Sequence, residues 1–406
     1  MNVTINSSTG SGSVKAPPSK SLAHRLLICA GMSEGESIVH GISDSEDISA
    51  TLDCLETFGA TYERIDDGDS IKIKGVDFTK SAAKGELACR ESGSTLRFFL
   101  PLALLSGRTT LLRGSETLMK RPMDVYKKLC DEHGLLFVQD NESIVVRGAL
   151  ESGKYSVVGN ISSQFISGLL FALPMTENDS IISITPPIES RSYIDLTLSA
   201  LHSFGIEADW QGEHTIFIKG SQKYTACEAT VEGDYSNAAF LDALNLLGGS
   251  VEVEGLIQNS LQGDRIYRQY FEMISKGSPS IHIGDCPDLG PVLFAMAAAK
   301  HGGVFSGTRR LKIKESDRAN AMAEELRKFG VSVTVNEDSV VIYPSDFHKP
   351  KEALGGHNDH RIVMSLALLL TLTGGEIEGA EAVKKSFPDF FEKIEKLGIG
   401  VTKNEF

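Results

Sequence analysis

Two phrases recur along the chain in a constant phase, so a fold that accommodates one copy must accommodate the others. The first is an apolar residue, a few polar ones and a glycine, as in Leu55-Glu56-Thr57-Phe58-Gly59-Ala60. It returns around Gly134, at Leu201-His202-Ser203-Phe204-Gly205-Ile206, at Leu326-Arg327-Lys328-Phe329-Gly330-Val331 and at Ile394-Glu395-Lys396-Leu397-Gly398-Ile399. Most copies run on through a turn into an alternating stretch: residues 71–75, 144–148, 216–220 and 340–343. This pattern predicts a helix closed by a left-handed glycine, followed by a hairpin. The second phrase is a polar cluster ahead of an apolar, helix-length run. The clusters begin near Ser19, Glu91, Ser162, Gly233, Pro287 and Asn358, at steps of 72, 71, 71, 54 and 71 residues. Six copies of one α/β unit follow, the fourth shortened.

The last copy reaches Phe406 before its closing hairpin is complete, and about 18 surplus residues, including the alternating Val3-Thr4-Ile5, precede the first. Lending that N-terminal strand to the C-terminal half balances both ends. The expected organisation is an N-terminal lobe of residues 19–232 and a second lobe of residues 1–18 with 233–406. Two strands joining two lobes make a hinge that can close on a ligand. Gly10-Ser11-Gly12-Ser13 lacks the Gly-Lys-Ser/Thr that would complete a nucleotide loop and reads as a flexible turn.

Charge decides what such a hinge could hold. With 40 Lys+Arg against 54 Asp+Glu the formal charge is −14, which argues against nucleic acid or anionic lipid as a broad partner. No apolar run approaches about 18 residues, so no membrane span is expected. The first residues lack the basic start and apolar stretch of a signal peptide, and six scattered cysteines form no Cys-x-x-Cys pair. A cytoplasmic protein with reduced thiols, and a monomer, is the expectation. Within the clusters, however, cations and hydroxyls gather at helix starts: Ser19-Lys20-Ser21 with Arg25, Ser92-Gly93-Ser94 with Arg97, Ser162-Ser163-Gln164, and Asn358-Asp359-His360-Arg361. Helix N-termini and arginines favour a small, multiply anionic ligand. Each cluster also has a plainer reading. The serines are caps, Lys20 is solvated, Arg97 pairs with an acid such as Glu91, and Asp359 orients His360. His357 and His360 have no third ligand nearby in sequence, so no metal is expected.

The motifs Pro18-Ser19-Lys20-Ser21-Leu22-Ala23-His24-Arg25, Ser92-Gly93-Ser94-Thr95-Leu96-Arg97, Lys120-Arg121-Pro122-Met123, Ser162-Ser163-Gln164-Phe165 and Ser190-Arg191-Ser192-Tyr193 are collinear with five more. Those five are Val231-Glu232-Gly233-Asp234, Pro287-Asp288, Lys312-Ile313-Lys314-Glu315-Ser316-Asp317-Arg318, Asn358-Asp359-His360-Arg361 and Lys385-Ser386-Phe387-Pro388-Asp389. Over nearly its whole length the chain resembles the 5-enolpyruvylshikimate-3-phosphate synthase family of enolpyruvyl transferases. The resemblance implies two lobes, each of three βαβαββ units in an inside-out α/β barrel, joined by a two-strand hinge. It implies transfer of the enolpyruvyl group of phosphoenolpyruvate to the 5-hydroxyl of shikimate 3-phosphate with release of phosphate, and no metal or organic cofactor. It assigns Lys20, Ser21, Arg25, Ser162, Ser163, Gln164, Ser190, Tyr193, Asp288 and Lys314 to shikimate 3-phosphate. Lys20, Gly93, Arg121, Gln164, Arg318, His360, Arg361 and Lys385 fall to phosphoenolpyruvate. Asp288 is assigned as base toward the 5-hydroxyl and Glu315 as proton donor to the methylene, with Lys20 assisting; the sequence leaves the direction of these two roles open.

Two departures stand out. Glu91-Ser92-Gly93 replaces the common Asn-Ala-Gly, which bears on binding of the inhibitor glyphosate, and Arg310 stands where some members place an asparagine. Asp234 reads as a hinge residue. Two rival readings are a sister transferase acting on UDP-N-acetylglucosamine, whose loop cysteine has no counterpart in residues 115–121, and a non-catalytic anion-binding protein on the same scaffold.

Overall fold

The computed structural model describes residues 1–404. Five phrase glycines end helices in the left-handed region: Gly59 at φ 105°, Gly134 at 67°, Gly205 at 78°, Gly330 at 85° and Gly398 at 92°. A Cβ is disfavoured there, so the glycine stops the helix and releases the chain into the next strand. The chain divides into two compact units, one of Pro18–Glu232, the other of Met1–Pro17 with the chain from Gly233 onward. Each has its own apolar core.

In the Pro18–Glu232 unit every repeat ends in a four-stranded sheet. The middle one runs Leu87–Arg90, Thr110–Gly114, Ser143–Arg147, Leu136–Gln139, with a parallel first pair and an antiparallel hairpin. The third copies it with Lys154–Val158, Ser180–Thr185, Thr215–Ile218 and Ala208–Trp210. Helices Gly93–Ala103 and Ser163–Ala172 bridge the parallel strands. Together with Lys20–Met32 they are buried on nearly all sides, which explains runs with no polar face. The first repeat takes its leading strand from the far end of the unit: Glu228–Thr230 pairs parallel with Gly35–His40.

The other unit repeats the scheme with helices Tyr235–Leu246, Gly290–Ala299 and His360–Thr373. Its last sheet is completed by the N-terminal strand Asn2–Ile5, lying antiparallel between Gly375–Glu378 and Val401–Asn404, with Val3 opposite Ile377 and Ile5 opposite Val401. The shortened fourth repeat keeps only Ser250–Glu254, which pairs parallel with Ser11–Lys15. Residues 11–13 are therefore strand and not a free turn. A glycine–serine stretch shows no alternation, and its ladder is dictated by the partner strand. Among the described residues the strands form six separate sheets, with no hydrogen-bonded closure into a barrel. Among the described residues no helix is long and apolar enough to cross a membrane.

Candidate active site

In the Pro18–Glu232 unit, Ser19 caps the Lys20–Met32 helix by accepting from the Leu22 N–H. Lys20, one residue on, is not a solvated charge: its Nζ lies 2.8 Å from Asp47 Oδ2, with both side chains largely covered. Arg25, a turn further, is 2 % exposed. It donates to Thr197 Oγ1 at 2.8 Å, the Ser21 carbonyl at 2.5 Å, the Tyr193 carbonyl at 3.0 Å and Ser167 Oγ at 3.5 Å. These acceptors are all neutral. Burial, opposed by Tyr193, lowers its pKa to about 10. Arg25 thus ties together the helices that carry Lys20 and Tyr193. Ser190, before the second of these helices, is buried in the left-handed region at φ 58°.

Gln164 makes the next connection. It accepts from Arg97 Nη1 at 2.7 Å and donates to Ser94 Oγ at 2.8 Å, while Ser162 caps its helix. Gly93 sits so close to Arg121 that a Cβ would lie 2.6 Å from Nη1. Any side chain there displaces that guanidinium. The unusual Ser92 also has a partner set. Its Oγ accepts from Thr95 N–H and Oγ1; Thr95 Oγ1 lies 2.9 Å from Thr51 Oγ1, which in turn lies 2.8 Å from His24 Nδ1. Burial first, then Lys20 and Arg25, keeps His24 well below its ordinary pKa, so it is neutral.

The second unit gathers Asp288, Lys314, Glu315, Arg318, Asp359 and Arg361. Arg318 is 1 % exposed and grips three carboxylates, with Nη1 at 2.8 Å from Asp288, Nη2 at 2.5 Å from Glu315 and Nε at 2.8 Å from Asp359. Asp288 also meets Lys314 at 3.0 Å and Arg361 at 3.3 Å. Burial alone would raise Asp288, but Arg361, Lys314 and Arg318 outweigh it and hold the carboxyl well below its usual range. Lys314 is lowered, chiefly by burial. Arg318 is desolvated too, yet its three anions raise it. Asp359 caps the His360–Thr373 helix through the Arg361 N–H and takes Ser316 Oγ at 3.0 Å. Lys385 donates to the Asn358 carbonyl at 2.7 Å. His360 is buried, with Nδ1 4.0 Å from Asp359. Arg310 is buried and donates to the Gly284 carbonyl. Asp234 caps the Tyr235–Leu246 helix beside the chain crossing, where its N–H donates to the Pro17 carbonyl.

Each unit therefore collects its own share of the expected residues. Sequence reasoning missed Asp47, Thr197 and Ser167. Asp47 looks like any acid in a helix first turn, and the hydroxyls face inward from apolar helices. A further group went unnoticed: donor atoms of Glu324, Glu325 and His357 lie within 4.8 Å of one another, as a cation site would require. Both Glu325 oxygens are already engaged, by Gly355 N–H, His357 and Lys328.

The fold matches that of solved enolpyruvyl transferases. An EPSP synthase of Acinetobacter baumannii superposes with a TM-score of 0.79 at 24% identity, covering 99% of this chain and 100% of that one. An enolpyruvyl transferase of Streptomyces tendae gives 0.78 at 12% identity, over 99% and 98%. In sequence, the 3-phosphoshikimate 1-carboxyvinyltransferase of Clostridium kluyveri is 39% identical over 98% of this chain and 97% of its own length. That of Clostridium perfringens is 39% identical over 99% of each. The family model for EPSP synthase (3-phosphoshikimate 1-carboxyvinyltransferase) covers residues 6–394, and the chain belongs to that family.

Proposed function

We propose that this protein transfers the enolpyruvyl group of phosphoenolpyruvate to the 5-hydroxyl of shikimate 3-phosphate, releasing inorganic phosphate. The observation that carries this reading is the pairing of Asp288 and Glu315 on one buried guanidinium, with Lys314 and Arg361 completing the cage. Two carboxyl groups in different surroundings suit a reaction that moves protons in both directions. In the addition step the 5-oxygen bonds to C2 of phosphoenolpyruvate, its proton passing to Asp288, while Glu315 protonates the methylene. In the elimination step the C–O bond to phosphate breaks, Asp288 passes the hydroxyl proton to the departing phosphate, and the new methyl group returns a proton to Glu315. Asp288 is a poor base while three cations face it. An incoming carboxylate and phosphate share those cations and raise its basicity as substrates bind.

Lys20, Ser21, Arg25, Ser162, Ser163, Gln164, Ser190 and Tyr193 hold shikimate 3-phosphate in this reading, with Asp288 and Lys314. Lys20, Gly93, Arg121, Gln164, Arg318, His360, Arg361 and Lys385 serve phosphoenolpyruvate, and glyphosate is an inhibitor of that set. The chemistry requires residues of both units to act on one substrate pair. Saturation with shikimate 3-phosphate plus glyphosate should therefore lower the radius of gyration in small-angle scattering. We also place the protein in the cytoplasm, a placement supported by six free cysteines, five of them buried, and read it as a monomer.

The test is phosphate release on mixing the two substrates, with Asp288→Ala as control. Release by the unmutated protein alone supports the reading. Silence, alongside calorimetric binding of shikimate 3-phosphate, would leave an anion-binding protein on this scaffold.

A further inference from the structure

Glu325 lies on the Arg318–Lys328 helix, seven residues and two turns beyond Arg318, so both point to the same side. Arg318 grips Asp359. Glu325, itself 1 % exposed, grips the same segment four residues earlier: Oε2 accepts from Gly355 N–H at 2.9 Å and Oε1 meets His357 Nε2 at 2.9 Å. Between these two anchors the chain makes an unusual bend. His357 and Asn358 are consecutive non-glycine residues in the left-handed region, at φ 49° and 51°. The bend aims the Asn358 carbonyl at Lys385 Nζ, delivers Asp359 to Arg318 and starts the helix that presents Arg361. Backbone in that region persists only where its surroundings hold it.

From this geometry we infer that Glu325 and His357 act as one clamp, positioning residues that set Arg361 and Lys385 for phosphoenolpyruvate without touching it. The inference rests on the reading of Arg361 and Lys385 proposed above. The charged groups facing His357 are Glu325 and Glu324, with Lys328 opposing. The hydrogen bond to Glu325 is the largest influence and raises His357 above its ordinary value of 6.5, and Glu325 itself is lowered despite its burial. The ion pair is complete below pH 6.5 and is lost as pH rises through the higher, folded value of His357. Glu325 keeps its contact with Gly355 throughout.

Steady-state kinetics on full-length Glu325→Gln, His357→Gln and the double variant, from pH 6 to 9, decide the matter. The unmutated protein must first turn over, which tests the proposed activity separately. Glu325→Gln is expected to raise KM for phosphoenolpyruvate about tenfold, as misplaced binding groups do, with the affinity for shikimate 3-phosphate unchanged. In the unmutated protein this KM should rise with pH as the ion pair is lost; His357→Gln should raise it less than Glu325→Gln does and remove that rise, and the double variant should be no worse than Glu325→Gln alone. A purely structural role would lower thermal stability and the active fraction while leaving KM and its pH profile alone. That result, or equal changes in KM for both substrates, would overturn the inference.

Discussion

Arg25 and Arg318 are both buried arginines reaching between elements, one in each unit, yet their partners differ in kind. Arg25 rests on hydroxyls and carbonyls, and its pKa falls. Arg318 rests on three carboxylates, and its pKa rises. An uncompensated buried cation is strained by desolvation and gains by meeting an anion. In the reading proposed above, Arg25 is accordingly the receptor for a charge brought by shikimate 3-phosphate. The Arg318 mesh already holds its own anions, and that reading places the proton transfers on two of them, Asp288 and Glu315. In the same reading the Arg25 unit carries most of the contacts to shikimate 3-phosphate, and the Arg318 unit carries the two carboxyl groups that move protons.

The comparison can be broken most directly by Glu315→Gln. Removing a general acid should cut kcat about a thousandfold. Trp210, the only tryptophan, lies in the other unit, under the Arg191 guanidinium and hydrogen-bonded to Asp195. Its fluorescence should still report an undiminished shikimate 3-phosphate titration. Loss of both signals would refute the division of labour. Next in size, Arg318→Met should destabilise the protein by about 3–5 kcal/mol, because Asp359 is left buried without its cation. Arg25→Met should cost only about 1–3 kcal/mol in unpaired acceptors. Thermal melts would also show that shikimate 3-phosphate stabilises the unmutated protein and not Arg25→Met.

Acid should separate the units as well. Asp288 and Glu325 are depressed, so the stability they contribute is full above the ordinary carboxyl range and is lost as pH falls through their lower folded values. Hydrogen exchange should show the Asp288 unit losing protection at a higher pH than the one at which Trp210 fluorescence changes. The smallest effect is expected from Ser92→Ala, about 1 kcal/mol for a lost cap, measured by denaturant melts. A glyphosate inhibition constant that also shifts in this variant would tie the Ser92–Thr95–Thr51–His24 chain to the turn at Gly93.

The repeat was legible because its signals are local: a glycine at a left-handed stop, an alternating hairpin, an apolar run behind a cap. The loan of Asn2–Ile5 to the last sheet followed from counting strands. The strands Glu228–Thr230 and Ser11–Lys15 were not legible, since each is short, lacks alternation and is defined by a partner at least 190 residues away. The site divides the same way. Lys20, Arg318 and Asp288 stand in motifs, whereas Asp47 and Glu325 matter through where their helices place them, and an isolated acid on a helix carries no such mark.

The first strand waits for the last. Asn2–Ile5 has no sheet to join until Gly375–Glu378 and Val401–Asn404 exist, so during synthesis it must stay unpaired while the whole Pro18–Glu232 insert is made and can fold beneath it. The same adjacency, with Asn2 opposite Asn404, means that joining the ends by a short linker and cutting at either crossing should yield a permuted chain whose units are each continuous.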